Sequence, residues 1–183
     1  MRFSTRARYG LRMMVELARE SRGGTPVTLN RVARITGLSE GYLGQLVLLL
    51  KTASLVIGIS GKNGGYVPAR PPGEIKLIEV IRALQGPINL AECADHPEIC
   101  LNSCFCETRV IWVLLNHRIL EVLEQYTLKD LTDRARMAEI RKKNANVPML
   151  DADLALADAE FGQDQGCPIA TRHGASSARE GSA

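Results

Sequence analysis

Apolar residues at Leu11, Met14, Val15 and Ala18, with Tyr9, Met13 and Leu17 beside them, recur at helical spacing and predict a helix with a wide buried face over residues 4–20. The run from Ser21 to Thr25, with two glycines, breaks it. Thr28 is placed to cap a short helix carrying Leu29, Val32, Ala33 and Ile35, and Gly37 to stop it. Ser39 caps the next helix, with Tyr42, Leu43, Leu46 and Leu49 at core spacing. Two short helices joined by a tight glycine turn form a helix-turn-helix whose second helix can lie in a DNA major groove, although a plain helical corner has the same pattern. Residues 55–60 are β-prone, Gly61 to Gly65 form a turn and Tyr66 to Ala69 return, so a hairpin follows as a wing. Its tip can approach a phosphate or enter a minor groove, with Lys62 supplying charge and Asn63 a hydrogen bond.

Pro71, Pro72 and Gly73 punctuate the chain. From Glu74 onward, Leu77, Ile78, Ile81 and Leu84 predict a helix of about three turns, ended by Gly86 and Pro87. The stretch Val110 to Tyr126 is apolar on more than one face: Ile111, Leu114, Leu115, Ile119, Val122 and Leu123, with Trp112, Val113 and Leu120. One stripe suffices for a helix lying on its own domain; a second predicts a matching helix in another subunit, against the plainer reading of a monomer's core helix. Leu128, Leu131, Ala135 and Ala138 predict a further helix to about Lys143 with those residues inward. Residues 151–183, rich in Ala, Asp, Gly and Ser, are expected to be disordered apart from a short helix near Leu154. The chain therefore reads as mainly α, in five parts: a winged helix-turn-helix over 1–70, a linker and connecting helix over 71–92, a cysteine loop over 93–106, dimerisation helices over 107–145 and a tail over 146–183.

Charge changes the picture more than size does. Up to Arg70 there are 11 Lys and Arg against 3 acids, a net +8; beyond it there are 12 against 17, a net −5. A basic part joined to an acidic one points to a polyanion partner for the basic part, the alternative being a solvated basic face. Arg2, Arg6, Arg8 and Arg12 crowd the start of the first helix, where the dipole favours acids, and so call for an external anion such as DNA phosphate. The longest apolar runs, Leu46 to Leu50 and Val110 to Leu115, fall far short of the roughly 20 residues that span a bilayer. The charged N-terminus carries no apolar signal region, so a cytoplasmic, thiol-reducing compartment is expected.

Four of the five cysteines, Cys93, Cys100, Cys104 and Cys106, fall within fourteen residues; Cys167 lies apart. In a reducing compartment such clustering points to a metal or a thiol switch rather than a disulfide framework. Irregularly spaced thiolates suit an iron-sulfur cluster, whereas structural zinc more often uses paired C-x2-C knuckles. Neither His117 nor His173 has a partner that would suggest catalysis, and no enzyme is expected.

Four stretches resemble the IscR-type iron-sulfur regulators: Met1-Arg2-Phe3-Ser4-Thr5-Arg6-Ala7-Arg8-Tyr9-Gly10; Leu38-Ser39-Glu40-Gly41-Tyr42-Leu43-Gly44-Gln45-Leu46; Gly61-Lys62-Asn63-Gly64-Gly65-Tyr66; and Val80-Ile81-Arg82-Ala83-Leu84-Gln85-Gly86-Pro87. The resemblance covers residues 1–145 and extends to a superfamily that includes the nitric-oxide-sensitive repressor NsrR and the cluster-free cysteine regulator CymR. It implies a transcription regulator that senses iron, redox or nitric oxide status, with Cys93, Cys100 and Cys106 holding a cluster of 2Fe-2S or 4Fe-4S type ahead of Trp112. Arg109 stands where IscR has a histidine, and arginine has no lone pair for iron. That leaves the fourth ligand open among Cys104, His96, Glu92, Glu107 and a group from a second subunit. The resemblance also implies a homodimer on a pseudo-palindromic operator, with Ser39, Tyr42 and Gln45 toward base edges and phosphates, Thr28 on a phosphate, and Lys62 and Asn63 in the minor groove. Gly44 replaces a frequent Glu, and Ser60 a frequent Arg. The alternatives are a repressor with structural zinc or no metal and, from another class, a thiol oxidoreductase or cluster carrier, for which the thioredoxin-like C-x-x-C is missing.

Overall fold

The computed structural model describes residues 3–147. Arg2, Cys167 and His173 lie outside the described residues, as does the stretch on which the expected disorder and the short helix near Leu154 fall; of the tail, only Asn146 and Val147 are described. The described chain falls into two compact units that part after Met137.

In the first unit, α1 (Thr5–Glu20) begins where Ser4 Oγ accepts the Ala7 N–H, and it buries Met13, Met14 and Leu17 completely. The connecting helix α4 (Leu77–Gln85) lies against it. A Cβ at Gly10 would collide with the Leu84 side chain, so the absence of a side chain there sets how closely the two helices approach. Two helices follow as the spacing predicts. α2 (Leu29–Thr36) is capped by Thr28, whose hydroxyl accepts the Arg31 N–H at 3.3 Å, and ends at Gly37 with φ of 71°. α3 (Glu40–Thr52) is capped by Ser39 through the Tyr42 N–H at 3.3 Å. Caps of this kind are worth roughly 1 kcal/mol each, and here they fix both boundaries of the helix-turn-helix. Leu43, Leu46, Val47 and Leu50 turn from α3 into the core beside Val32 of α2.

The wing is an antiparallel pair, β1 (Val56–Ile59) and β2 (Gly65–Pro68), with Val56 opposite Pro68 at its root and Ile59 opposite Gly65 toward its tip. Two hydrogen bonds, Tyr66 N to Val27 O at 2.8 Å and Val27 N to Tyr66 O at 3.0 Å, fasten β2 to the segment ahead of α2. A Cβ at Gly65 would press on Val27 backbone atoms, so only glycine permits that approach.

The second half departs from the predicted pattern at two places. α4 starts at Leu77 rather than near Glu74, because Ile75 is extended and its carbonyl accepts the Leu128 N–H at 3.0 Å. The helix expected over Leu128 to Lys143 is broken into α7 (Leu128–Thr132) and α8 (Arg134–Lys143) at Asp133, which is extended and whose carboxylate accepts the Arg136 N–H. Leu128 is fully buried and Leu131 half-buried, but Ala135 and Ala138 are exposed, so alanine at helical spacing did not mark an inward face. Asp130 holds the start of α7 by accepting from Thr127 N (2.8 Å) and Thr127 Oγ1 (2.7 Å), and it also accepts from Arg136. Burial pushes its carboxyl up, yet the bonds from Thr127 and the Arg136 guanidinium outweigh burial and hold it below the usual carboxylate range.

The short α5 (Glu92–Asp95) and the long α6 (Glu107–Gln125) flank the cysteine loop. α6 rests on the core through Ile119, Leu120 and Leu123, and Asn116 is its one buried residue. In the second unit, from Ala138, the end of α8 is closed by Asn144, whose side-chain amide donates to the Ile140 carbonyl at 2.7 Å. No helix among the described residues is long and apolar enough to cross a membrane.

Candidate nucleic-acid interface and cysteine loop

Thr28, Ser39 and Gln45 are exposed along the start of α2 and the first turns of α3, and Lys62 and Asn63 are exposed at the wing tip. Thr28 and Ser39 use their hydroxyl acceptor for capping, which leaves their O–H free to donate to a phosphate. The side chains of Gln45, Lys62 and Asn63 form no hydrogen bond or ion pair among the described residues, so their full capacity is available to a partner. Tyr42 serves packing as well as exposure: it is half-buried and meets Tyr9 edge-on, ring centroids 6.2 Å apart. The Arg8 guanidinium lies 5.9 Å from the same Tyr9 ring, so a cation of α1 is held one ring away from the start of α3.

Sequence periodicity gave no sign of Leu48, which is 66% exposed one turn beyond Gln45 on the same face of α3. A glutamine amide suits the donor and acceptor pair of adenine, and an exposed leucine suits a thymine methyl group. Nothing lies within 4 Å of a Cβ built at Gly41 or Gly44, so this face lets another molecule come close to the helix backbone.

The cysteine loop is built from short pieces. Cys93 is in α5, Cys100 follows the 3-10 turn Pro97–Ile99, Cys104 is exposed in a turn, and Cys106 caps α6. All four are free thiols. Arg109 reaches back from the first turn of α6, its Nε donating to the Cys93 carbonyl at 2.7 Å. The residue that occupies the expected ligand position is thus a strap between α5 and α6. Sequence reasoning excluded Arg109 as a ligand but had no signal for a contact across sixteen residues. Cys106 Sγ lies 3.1 Å from Thr108 Oγ1. Donation from the Thr108 hydroxyl, and next from the Arg109 backbone N–H, lowers the Cys106 thiol below its ordinary value.

The donor chemistry suits an iron-sulfur cluster, since thiolates are its usual ligands. The arrangement does not yet gather them: among the described residues no three Cys, His, Asp or Glu side chains come together as metal donors. Of the other fourth-ligand candidates, His96 is engaged with Glu98 at 3.0 Å, and Glu92 and Glu107 are exposed.

A helix-turn-helix with a glycine-tipped wing, mounted on a helical core, defines the chain as a winged-helix DNA-binding protein. The family model Rrf2, described as iron-dependent transcriptional regulator, matches residues 3–134, and the chain belongs to that family. It is 40% identical over 131 residues to the HTH-type transcriptional regulator CymR of Bacillus subtilis, covering 72% of this chain and 89% of that one. To the HTH-type transcriptional regulator IscR of Sodalis glossinidius it is 31% identical over 146 residues, covering 80% and 87%. Among solved structures, CymR, described as the global cysteine regulator of B. subtilis, superposes with a TM-score of 0.63 at 39% identity over 72% of this chain and 96% of that one. The IscR of T. potens gives 0.58 at 30% identity over 93% and 96%. These relatives are transcription regulators rather than enzymes.

Two outcomes follow from this geometry. In metal-free protein, Thr108→Val should move the pH profile of Cys106 alkylation by iodoacetamide upward, because the hydroxyl that lowers the Cys106 thiol is gone; identical profiles for wild type and variant would show that Thr108 has no influence. Lys62→Ala should weaken binding to any duplex and reduce the slope of log affinity against log salt by about 1, and an unchanged slope would remove Lys62 from the interface.

Proposed function

We propose that the chain is a dimeric transcription regulator whose hold on a pseudo-palindromic operator is set by its cysteine loop, with Cys93, Cys100 and Cys106 as the residues that hold an iron-sulfur cluster. The observation that carries this reading is a loop of four free thiols ending on Cys106 at the head of the long helix α6, where the Thr108 hydroxyl lowers the thiol below its ordinary value. A cluster in that loop would supply sensitivity to iron supply, redox state or nitric oxide. Cys104 is the leading fourth donor, since Arg109 is committed to the Cys93 carbonyl and His96 to Glu98. On the DNA side, Ser39, Tyr42 and Gln45 address base edges and phosphates, Thr28 and Arg2 a phosphate, and Lys62 and Asn63 the minor groove. In this division of labour residues 1–70 bind DNA, 71–92 connect, 93–106 sense and 107–145 dimerise.

The case for a dimer is energetic. Along α6, Val110, Ile111, Trp112, Leu114, Leu115 and Val122 are each at least 42% exposed. Fully burying a side chain of that size is worth roughly 1.5–3 kcal/mol; about half of that remains to be gained at each, so six of them are together comparable with the ~4–15 kcal/mol lost on association. A second copy of the same helix offers a matching surface about a twofold axis.

A second reading, a regulator that uses its thiols without metal, is favoured by the ungathered donors and by the similarity to CymR. Anaerobic purification separates the two. Iron and acid-labile sulfide are expected in the wild type and should be lost in Cys106→Ala with the helical circular dichroism retained; a colourless, iron-free wild type that binds its operator selects the second reading, and full iron in Cys106→Ala overturns the ligand assignment. Sedimentation should give twice the 20.0 kDa chain mass, falling to one chain when Leu114→Glu and Leu115→Glu are combined; a monomeric wild type overturns the dimer.

A further inference from the structure

The wing root and α7 enclose a groove of about 590 Å³ that the DNA-binding and cysteine sites do not use. Its walls are the end of α1, the turn Arg22–Gly24, the end of β2 with the linker that follows, and α7. Every charged side chain that lines it is a cation: Arg19, Arg22, Arg70 and Lys129. Two of these are already compensated, Arg19 by Glu16 at 2.8 Å and Arg70 by Glu79 at 2.6 Å. Arg22 and Lys129 have no hydrogen bond or ion pair from their side chains among the described residues. They come from different elements, the turn after α1 and the start of α7, so two uncompensated positive charges line one cavity. An apolar floor is supplied by Ala18, Val67, Pro68 and Ala69.

We propose that this groove binds a small phosphomonoester. Two free cations call for a dianion, and a phosphomonoester is close to dianionic above its second pKa of about 6. Guanidinium and ammonium groups are the usual partners of phosphate oxygens. The volume is far larger than a bare phosphate needs and falls within the range of small-molecule sites, with the apolar floor available to the organic part. DNA is the other source of phosphate, but the groove lies at the root of the hairpin, beside Pro68, whereas Lys62 and Asn63 are at its tip. Four residues of strand, about 13 Å at the usual rise, separate the two ends. A ligand bridging Arg22 and Lys129 would join the turn after α1 to α7, the helix that directly follows α6.

Calorimetry on the full-length protein at pH 8 and constant ionic strength tests this with phenyl phosphate, inorganic phosphate and benzyl alcohol as probes. Phenyl phosphate should saturate one site per chain, at least about tenfold tighter than inorganic phosphate, and benzyl alcohol should not bind. Arg22→Ala combined with Lys129→Ala should weaken phenyl phosphate by about tenfold or more with the melting temperature unchanged, and Arg22→Lys should retain most of the affinity. Absence of saturation, or equal affinity in the double variant, overturns the site. Equal affinity for the two phosphates would make free phosphate the ligand and overturn the ester. A double variant that, without any probe, loses affinity and salt slope on non-specific duplex DNA would assign these cations to the DNA backbone and overturn the proposal.

Discussion

The extended contact between Ile75 and Leu128 holds the two halves of the first unit in register. Leu77 donates to the Tyr126 carbonyl and Leu128 to the Ile75 carbonyl, each at 3.0 Å, with Ile75 and Leu128 both inaccessible to solvent. Buried main-chain groups must be paired, and the two bonds satisfy the backbone where α6 ends and α4 begins. They also fix where α6 leaves the core, and hence where its apolar face and the cysteine loop at its head are presented. The cost is the break between Ile75 and Leu77, which shortens α4 relative to its apolar spacing. Burial of two large aliphatic side chains, roughly 1.5–3 kcal/mol each, outweighs the helical turn forgone.

A second backbone bridge, Val27 to Tyr66, does for the wing what the first does for α6. A two-stranded hairpin is marginal alone in water. Here β2 is tied to the segment that leads into the Thr28 cap, so wing and helix-turn-helix share one rigid mount. The Tyr9–Tyr42 contact adds α1 to that mount and carries Arg8 with it. Positive charge at the head of α1, unfavourable toward the helix dipole by roughly 0.3–1 kcal/mol per group, is thereby kept next to the face that has a use for it.

The cysteine loop is held in the opposite way. Its elements are one or two turns long, and Ile99, Leu101 and Phe105 stand largely in solvent. Arg109 straps one side of it to α6, and Cys106 is the N-cap of α6, so Cys93 and Cys106 are tethered while Cys100 and Cys104 lie on the less supported stretch. A segment with few buried apolar contacts opens at low cost, and such a segment can change when its thiols change.

Helix spacing, capping residues and turn glycines in the sequence determined the helix-turn-helix and wing, because Thr28, Ser39, Gly37 and Gly61 act through contacts a few residues away or through backbone angles that few residues adopt. The cysteine spacing likewise marked the loop, as thiols in a short run need no fold to be near one another along the chain. Only tertiary structure decided that Ile75 would leave α4, that Asp133 would split the last helix, that Leu48 would remain exposed and that Arg109 would strap Cys93. Each of those depends on partners far away in sequence or on which side of a helix finds the core, and helical periodicity is the same whether the apolar face is covered or left open.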